Sequence, residues 1–268
     1  MTRPSIFKHI LIFASELRGA QYLIGDYDRV YCRFKHDRFN FGSISPGDVH
    51  APTATSDGEG GLYVIYNINQ GKLTEGWNHI MSLVRRLTLG IDNTLRIEPF
   101  RPQHTGMSET HIPANREIVL GDVSGNTMEL VVEIVPQKAR EISICVMCSP
   151  EAEEVYRRQI LPTGSAAEKQ RGTAVLVGCA GDRHFPLFPA NRRTRTAAEV
   201  VLLELPDGEP MRLRIFVDRS VIQVFANYRQ CAARRVYSSR DDSLGVSVRS
   251  QGIDATLRSP DAWQMEHK

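Results

Sequence analysis

Cys145 and Cys148 stand at the Cys-x-x-Cys interval, the spacing at which two thiolates can clamp a zinc ion or exchange a disulfide. They fall inside the apolar run Ile142–Cys148, which reads as a strand, and residues three apart on a strand project from opposite faces. The spacing therefore predicts two core thiols rather than a redox or metal pair. Eight histidines show no His-Glu-x-x-His spacing, and His104 and His111 stand alone, so solvated or capping roles are expected and no metal site. Glu153-Glu154 and Asp241-Asp242 sit in polar turns, and neither reads as the opposed carboxyl pair of a glycosidase. Asn191–Arg195 is the compact basic cluster; without interleaved aromatics it predicts a solvated loop, not a nucleic-acid surface. There is no glycine-rich phosphate loop opening a helix and no Gly-x-Ser-x-Gly elbow, which disfavours nucleotide-binding and serine-hydrolase chemistry. No cofactor is expected.

The elements that must position any site are strands. Met128, Leu130, Val132 and Ile134 alternate along one run, and Leu213, Ile215 and Val217 along another, the period of half-buried strands. Between such runs lie Asp57–Gly61, Gly71-Lys72, Asp92-Asn93, Gly125-Asn126, Asp207-Gly208 and Asn227-Tyr228, the turn chemistry of consecutive antiparallel strands. The chain reads as all-β, and turn spacings of about ten residues fit a sandwich or propeller blades. Pro102, Gly106 and Pro113 interrupt a polar stretch that predicts a linker over 101–114, with units at 1–100 and 115–268. Upstream strands are expected at Ile10–Phe13, Gln21–Tyr27, Leu62–Asn67, Ile80–Leu89 and Thr94–Glu98; downstream, one β-sandwich; and at Pro186–Arg195 a long surface loop.

The 268 residues are 41% hydrophobic, enough for a sizeable core, and 33 Lys plus Arg against 31 Asp plus Glu leave a formal charge of +2. No global field points to nucleic acid, and no acidic bias points to disorder. No run reaches the ~18 to 20 apolar residues of a membrane span, and the first fourteen residues lack the ordered parts of a secretory leader. Five cysteines, an odd number, argue against a disulfide framework, so a cytoplasmic, reducing location is expected.

The run Arg214–Gln230, RIFVDRSVIQVFANYRQ, with Asp242–Val248 and Asp261–Met265, resembles the C-terminal β-sandwich of glycoside hydrolase family 32, the family of invertases, levanases and inulinases. His9–Ser15, Gln21–Asp28, His50–Pro52, Glu75–Leu89 and Thr94–Pro99 resemble the last blades of that family's five-bladed propeller, in matching order. The resemblance implies a partial β-propeller followed by a sandwich, and sucrose or fructan hydrolysis as the family's activity. Members use an Asp in a WMNDPNG-like motif, an Asp in Arg-Asp-Pro and a Glu in Glu-Cys; none of these strings occurs here. By motif order all three would precede residue 1, and Glu16, which follows the first strand, does not take the acid role. No catalytic residue is assigned.

Pocket positions carry over one at a time. Asp48 matches the carboxylate of the family's Asp-Phe-Tyr-Ala block, which lies near the sugar, and His50 replaces its Tyr. Asn67 stands where the resemblance places a pocket Trp, Val84 where Ser-Leu-Pro-Arg has Pro, Gln223 where the Val-x-Glu-Val-Phe strand has Glu, and the Asp-x-Ser-Arg-Ser segment has drifted to about Asp182–Arg195. Asp218, Arg219, Ser220, Phe225 and Asn227 read as hairpin and core residues. Three readings follow: part of a β-fructofuranosidase, inactive alone; a non-catalytic carbohydrate-binding pseudoenzyme; or a structural subunit. A fructoside is the expected ligand, and a second copy or a missing N-terminal half the expected partner.

Overall fold

A computed structural model describes residues 8–15, 19–45, 49–68, 75–100, 109–135, 139, 141–150, 156–162, 173–177, 199–203, 206, 209–238 and 240–265. Every regular element among them is a strand. The first three form an antiparallel sheet in sequence order, β1 (His9–Ser15), β2 (Gly19–Asp28) and β3 (Arg33–Ser45). The next five, β4 (Val49–Ser56), β5 (Leu62–Ile68), β6 (Ile80–Met81), β7 (Arg85–Leu89) and β8 (Leu95–Pro99), form a second sheet ordered β4-β5-β7-β8, with β6 also on β5.

The remaining strands make two six-stranded sheets. They are β9 (Glu109–Ile112), β10 (Glu117–Ser124), β11 (Thr127–Val135), β12 (Glu141–Cys148), β13 (Tyr156–Pro162), β14 (Thr173–Val177), β15 (Glu199–Leu203), β16 (Met211–Asp218), β17 (Val221–Ala226), β18 (Gln230–Arg235), β19 (Gly245–Gln251) and β20 (Ala255–Gln264). One sheet runs β10-β19-β12-β13-β14-β15, the other β18-β17-β16-β11-β20-β9. Met128, Leu130, Val132, Leu213, Ile215 and Val224 of the second meet Ile142, Ile144, Val246 and Val248 of the first in one buried cluster. This is a two-sheet sandwich, as the alternation predicts.

The β18-to-β9 sheet is apolar on both faces. Phe216, Val221, Phe225, Cys231 and Ala233 point away from the sandwich core and are buried with Ile24, Val64, Tyr66, Ile68, Leu87 and Ile97 of the two N-terminal sheets. That double burial explains why all six residues of β17 are buried, where a sheet with one wet face would alternate. A backbone bond from Ile97 N to Tyr228 O at 2.7 Å fastens β8 to the tip of the β17–β18 hairpin.

The hairpin letters behave as the sequence predicts. Asn227 and Tyr228 both have positive φ, 46° and 54°, and Arg229 N donates to Ala226 O at 2.9 Å, the primed turn that joins twisted strands. Arg219, with φ 47°, closes the β16–β17 hairpin. The strand expected over Ile80–Leu89 is interrupted at 82–84, and the expected upstream set omits β3 and β4. Asp241-Asp242 lies in a turn, where Asp242 is gripped by Arg240 through two 2.7 Å bonds. His111 pairs with Asp254 at 3.3 Å on the surface. His104, Gly71-Lys72, Glu153-Glu154, Asp182–Arg195 and Asp207-Gly208 lie outside the described residues.

One expectation is overturned. Cys145, Val146 and Cys148 lie opposite Ser247, Val246 and Gly245, with a register shift between Val146 and Cys148. Met147, at φ 54°, is an inserted bulge residue, and a bulge changes the face parity of everything after it. Cys145 and Cys148 therefore share one face instead of pointing apart.

Candidate functional site

β4 and β5 pair with His50 directly opposite Asn67, and Asn67 lies opposite Met81 of β6. This register gathers side chains from three segments at one end of the sheet. Asn67 Nδ2 donates to His79 Nδ1 at 3.0 Å, and the imidazoles of His50 and His79 meet edge to face with centroids 5.7 Å apart. His50 Nδ1 and Asn67 Oδ1 are both buried without a hydrogen-bond partner. Buried polar atoms are seldom left so, and two on neighbouring residues mark a place where hydroxyl groups or water would be held. Of the two sequence-assigned pocket residues, His50 is in this cluster and Asp48 lies outside the described residues. His79 was missed; its signal is a histidine directly before the β6 strand, in Gly76-Trp77-Asn78-His79.

Beside the cluster the chain leaves the ladder. Ser82 N donates to Tyr66 O at 2.8 Å and Tyr66 N to Ser82 Oγ at 3.0 Å, while Leu83 N reaches across to Gln223 Oε1 of β17 at 3.2 Å. That crossing is the physical cause of the break at 82–84. It also opens a cleft of about 230 Å³ between β6 and the sandwich, lined by Met81, Leu83, Phe216, Asp218, Gln223 and Met265 among others. Its walls are largely apolar, with Ser82, Thr127, Asp218 and Gln223 as the polar residues. Asp218, assigned to a turn from sequence, thus also faces this space.

Under the cleft Arg85 is fully buried. Its Nη2 reaches Gln223 Oε1 only at 3.5 Å, and its Nε and Nη1 have no partner. The guanidinium lies 4.9 Å from the Tyr66 ring centroid and 5.9 Å from that of Phe225, contacts that offset part of the cost of burying a cation. Burial pushes the Tyr66 hydroxyl well above its usual range, with Arg85 opposing. The same burial pushes the Cys231 thiol up to about 11, again with Arg85 opposing. Nearer the surface, Arg235 stacks 4.5 Å over the half-exposed Trp77 and 5.3 Å from Tyr237, and desolvation lowers its pKa. Among the described residues no group of three or more His, Cys, Asp or Glu could hold a metal ion.

A two-sheet sandwich with further antiparallel sheets docked on one outer face defines an all-β protein with the architecture that the sequence motifs resemble. The chain belongs to glycosyl hydrolases family 32: the family's C-terminal part matches residues 96–264. Solved structures share the fold. Fructan 1-exohydrolase IIa from Cichorium intybus, in complex with 1-kestose, superposes with a TM-score of 0.76 at 12% identity, over 98% of this chain and 58% of that one. Exo-inulinase from Aspergillus awamori gives 0.65 at 20% identity, over 92% and 50%. Sucrose-6-phosphate hydrolase from Lactobacillus gasseri gives 0.64 at 19%, over 90% and 48%. The chain spans about half the length of these structures. No curated protein matches it by sequence.

Proposed function

We propose that this chain is a fructoside-recognising family 32 component that does not hydrolyse its ligand by itself. The observation that carries the reading is the His50–Asn67–His79 cluster, with two buried polar atoms awaiting partners. Imidazole and amide groups suit hydroxyl recognition. Retaining hydrolysis asks instead for two carboxyls about 5 Å apart, one a nucleophile and one a proton donor. Among the described residues no carboxylate is hydrogen-bonded to any member of the cluster. Asp48, assigned to the sugar by family resemblance, is read as a further acceptor for the fructoside.

The two N-terminal sheets are read as the last blades of a propeller, residues 1–100, followed by a sandwich that takes in β9 (Glu109–Ile112), inside the 101–114 span expected as a linker, because β9 pairs with β20. The test is titration calorimetry of the purified chain with fructose, 1-kestose and inulin, beside an assay for released reducing sugar. Binding without turnover is expected, weakened at least tenfold in His50→Ala and in His79→Ala. Absence of binding to all three sugars would overturn the recognition reading. Turnover abolished by Asp48→Asn would replace it with catalysis by this chain.

A further inference from the structure

The bulge at Met147 has a chemical consequence. It turns Val146 and Met147 into the sandwich core and sets Cys145 and Cys148 side by side on the opposite face of β12, across from Ser247 and Gly245. We propose that Cys145 and Cys148 form a dithiol that a small two-electron oxidant such as hydrogen peroxide converts reversibly to an intrachain disulfide.

Four observations support this. Cys145 and Cys148 occupy consecutive positions on one face of β12 once the bulged Met147 is left out of the ladder, and the Cys145 thiol is the largest influence on the Cys148 thiol. Both are free thiols, and no other described cysteine neighbours them in the sheet register. Cys148 Sγ lies 3.9 Å from Ser247 Oγ, whose hydroxyl donates to Glu117 Oε1 at 2.6 Å, a short polar relay by which a proton can leave the pair. Gly245 faces Cys148 without a side chain: a Cβ there would sit 3.7 Å from Cys148 Cβ and 3.0 Å from its carbonyl oxygen, in the space beside the thiol.

The neighbouring Cys145 thiol and, after it, burial hold the Cys148 thiol well above its usual pKa. Reaction at neutral pH is therefore slow, since the thiolate is the nucleophile. Cys148 is 9% exposed and Cys145 1%, which makes Cys148 the first to react and limits the oxidant to small molecules. The Cys148 sulfur attacks one peroxide oxygen, the O–O bond breaks, water leaves and a sulfenic acid forms. The Cys145 sulfur then attacks that sulfur, the S–S bond forms, the S–O bond breaks and a second water leaves. Two thiols and one peroxide thus give one disulfide and two waters.

Trypsin leaves both cysteines in a single peptide, residues 141–157, which makes the product readable by mass. The folded full chain is exposed to hydrogen peroxide, then denatured, alkylated with iodoacetamide and digested. The expected peptide carries no alkyl group and is about 2 Da lighter than the dithiol; reduction with a phosphine before alkylation restores two labels. Cys148→Ser should remove the mass loss and leave Cys145 alkylatable. If both thiols of the wild-type chain alkylate fully after peroxide, or if Cys148 proceeds to sulfinic acid with Cys145 still free, the pair is an inert part of the interior and the proposal fails. The wild-type arms decide this even if the variant does not fold.

Discussion

Replacing Gln223 by Glu tests whether the buried cation at the sheet junction is uncompensated. Arg85 is fully buried, two of its three nitrogens lack partners, and the third has one long bond to the Gln223 amide oxygen. The cost of burying the guanidinium is already present in the folded wild-type chain, so Gln223→Glu adds only the desolvation of a carboxylate. At an effective dielectric of about 20, unit charges about 4 Å apart gain about 4 kcal/mol. The new carboxylate, which keeps the Leu83 N–H, gives back about 2 to 3 kcal/mol in desolvation. The net expectation is about 1 to 2 kcal/mol of added stability, a rise of about 2 to 4 °C in Tm for a chain of this size. The sign with pH follows from linkage. Beside Arg85 the carboxylate ionises below its unfolded value of about 4.3, so the gain is fully present above that value. It disappears as pH falls through the lower folded pKa. Calorimetric melting of both chains at pH 7 and pH 3 is the assay. A variant that melts lower at pH 7 would show that Arg85 is already satisfied, and a gain undiminished at pH 3 would show that charge is not its source.

Further expectations follow from other features. Asn227→Ala puts a Cβ residue without an amide at φ 46°. It also loses the bonds of the side chain to Arg212 N, Glu209 and Pro210 O, so a loss of about 2 to 3 kcal/mol is expected in chemical denaturation; a loss under 1 kcal/mol would contradict the role given to this turn. Bonds from Arg96 and Thr94 hold Asp92 at a pKa of about 2 against the opposing effect of burial. Its contribution is present above the ordinary carboxylate range and lost as pH falls toward that value, so Asp92→Asn should flatten stability against pH there, by less than about 1 kcal/mol because the pair is half exposed. β1 exposes Leu11 and Phe13, 44% and 39%, and β1 is an edge of its sheet; self-association through this edge is expected in light scattering, and a monodisperse monomer at micromolar concentration with no apolar dye binding would refute it.

Residue pattern alone made the all-β class, the sandwich and the hairpin turns legible. Alternation with period two and residues such as Asn227 at primed turns are local properties, and local chemistry fixes them. Membership in family 32 was legible for the same reason, because strings such as RIFVDRSVIQVF record a strand, a two-residue turn and a second strand in order. What depends on partners was not. Nothing local in Val221–Ala226 announces burial on both faces; it follows from the N-terminal sheets docking on the outside of the sandwich. The break at 82–84 comes from Gln223, 140 residues away. His79 joins His50 and Asn67 only because β4, β5 and β6 pair in one register. The cysteine pair is the sharpest case. Period two separates Cys145 from Cys148, and a single inserted residue, Met147, brings them together, because side-chain direction on a strand depends on a count that only the partner strand can set.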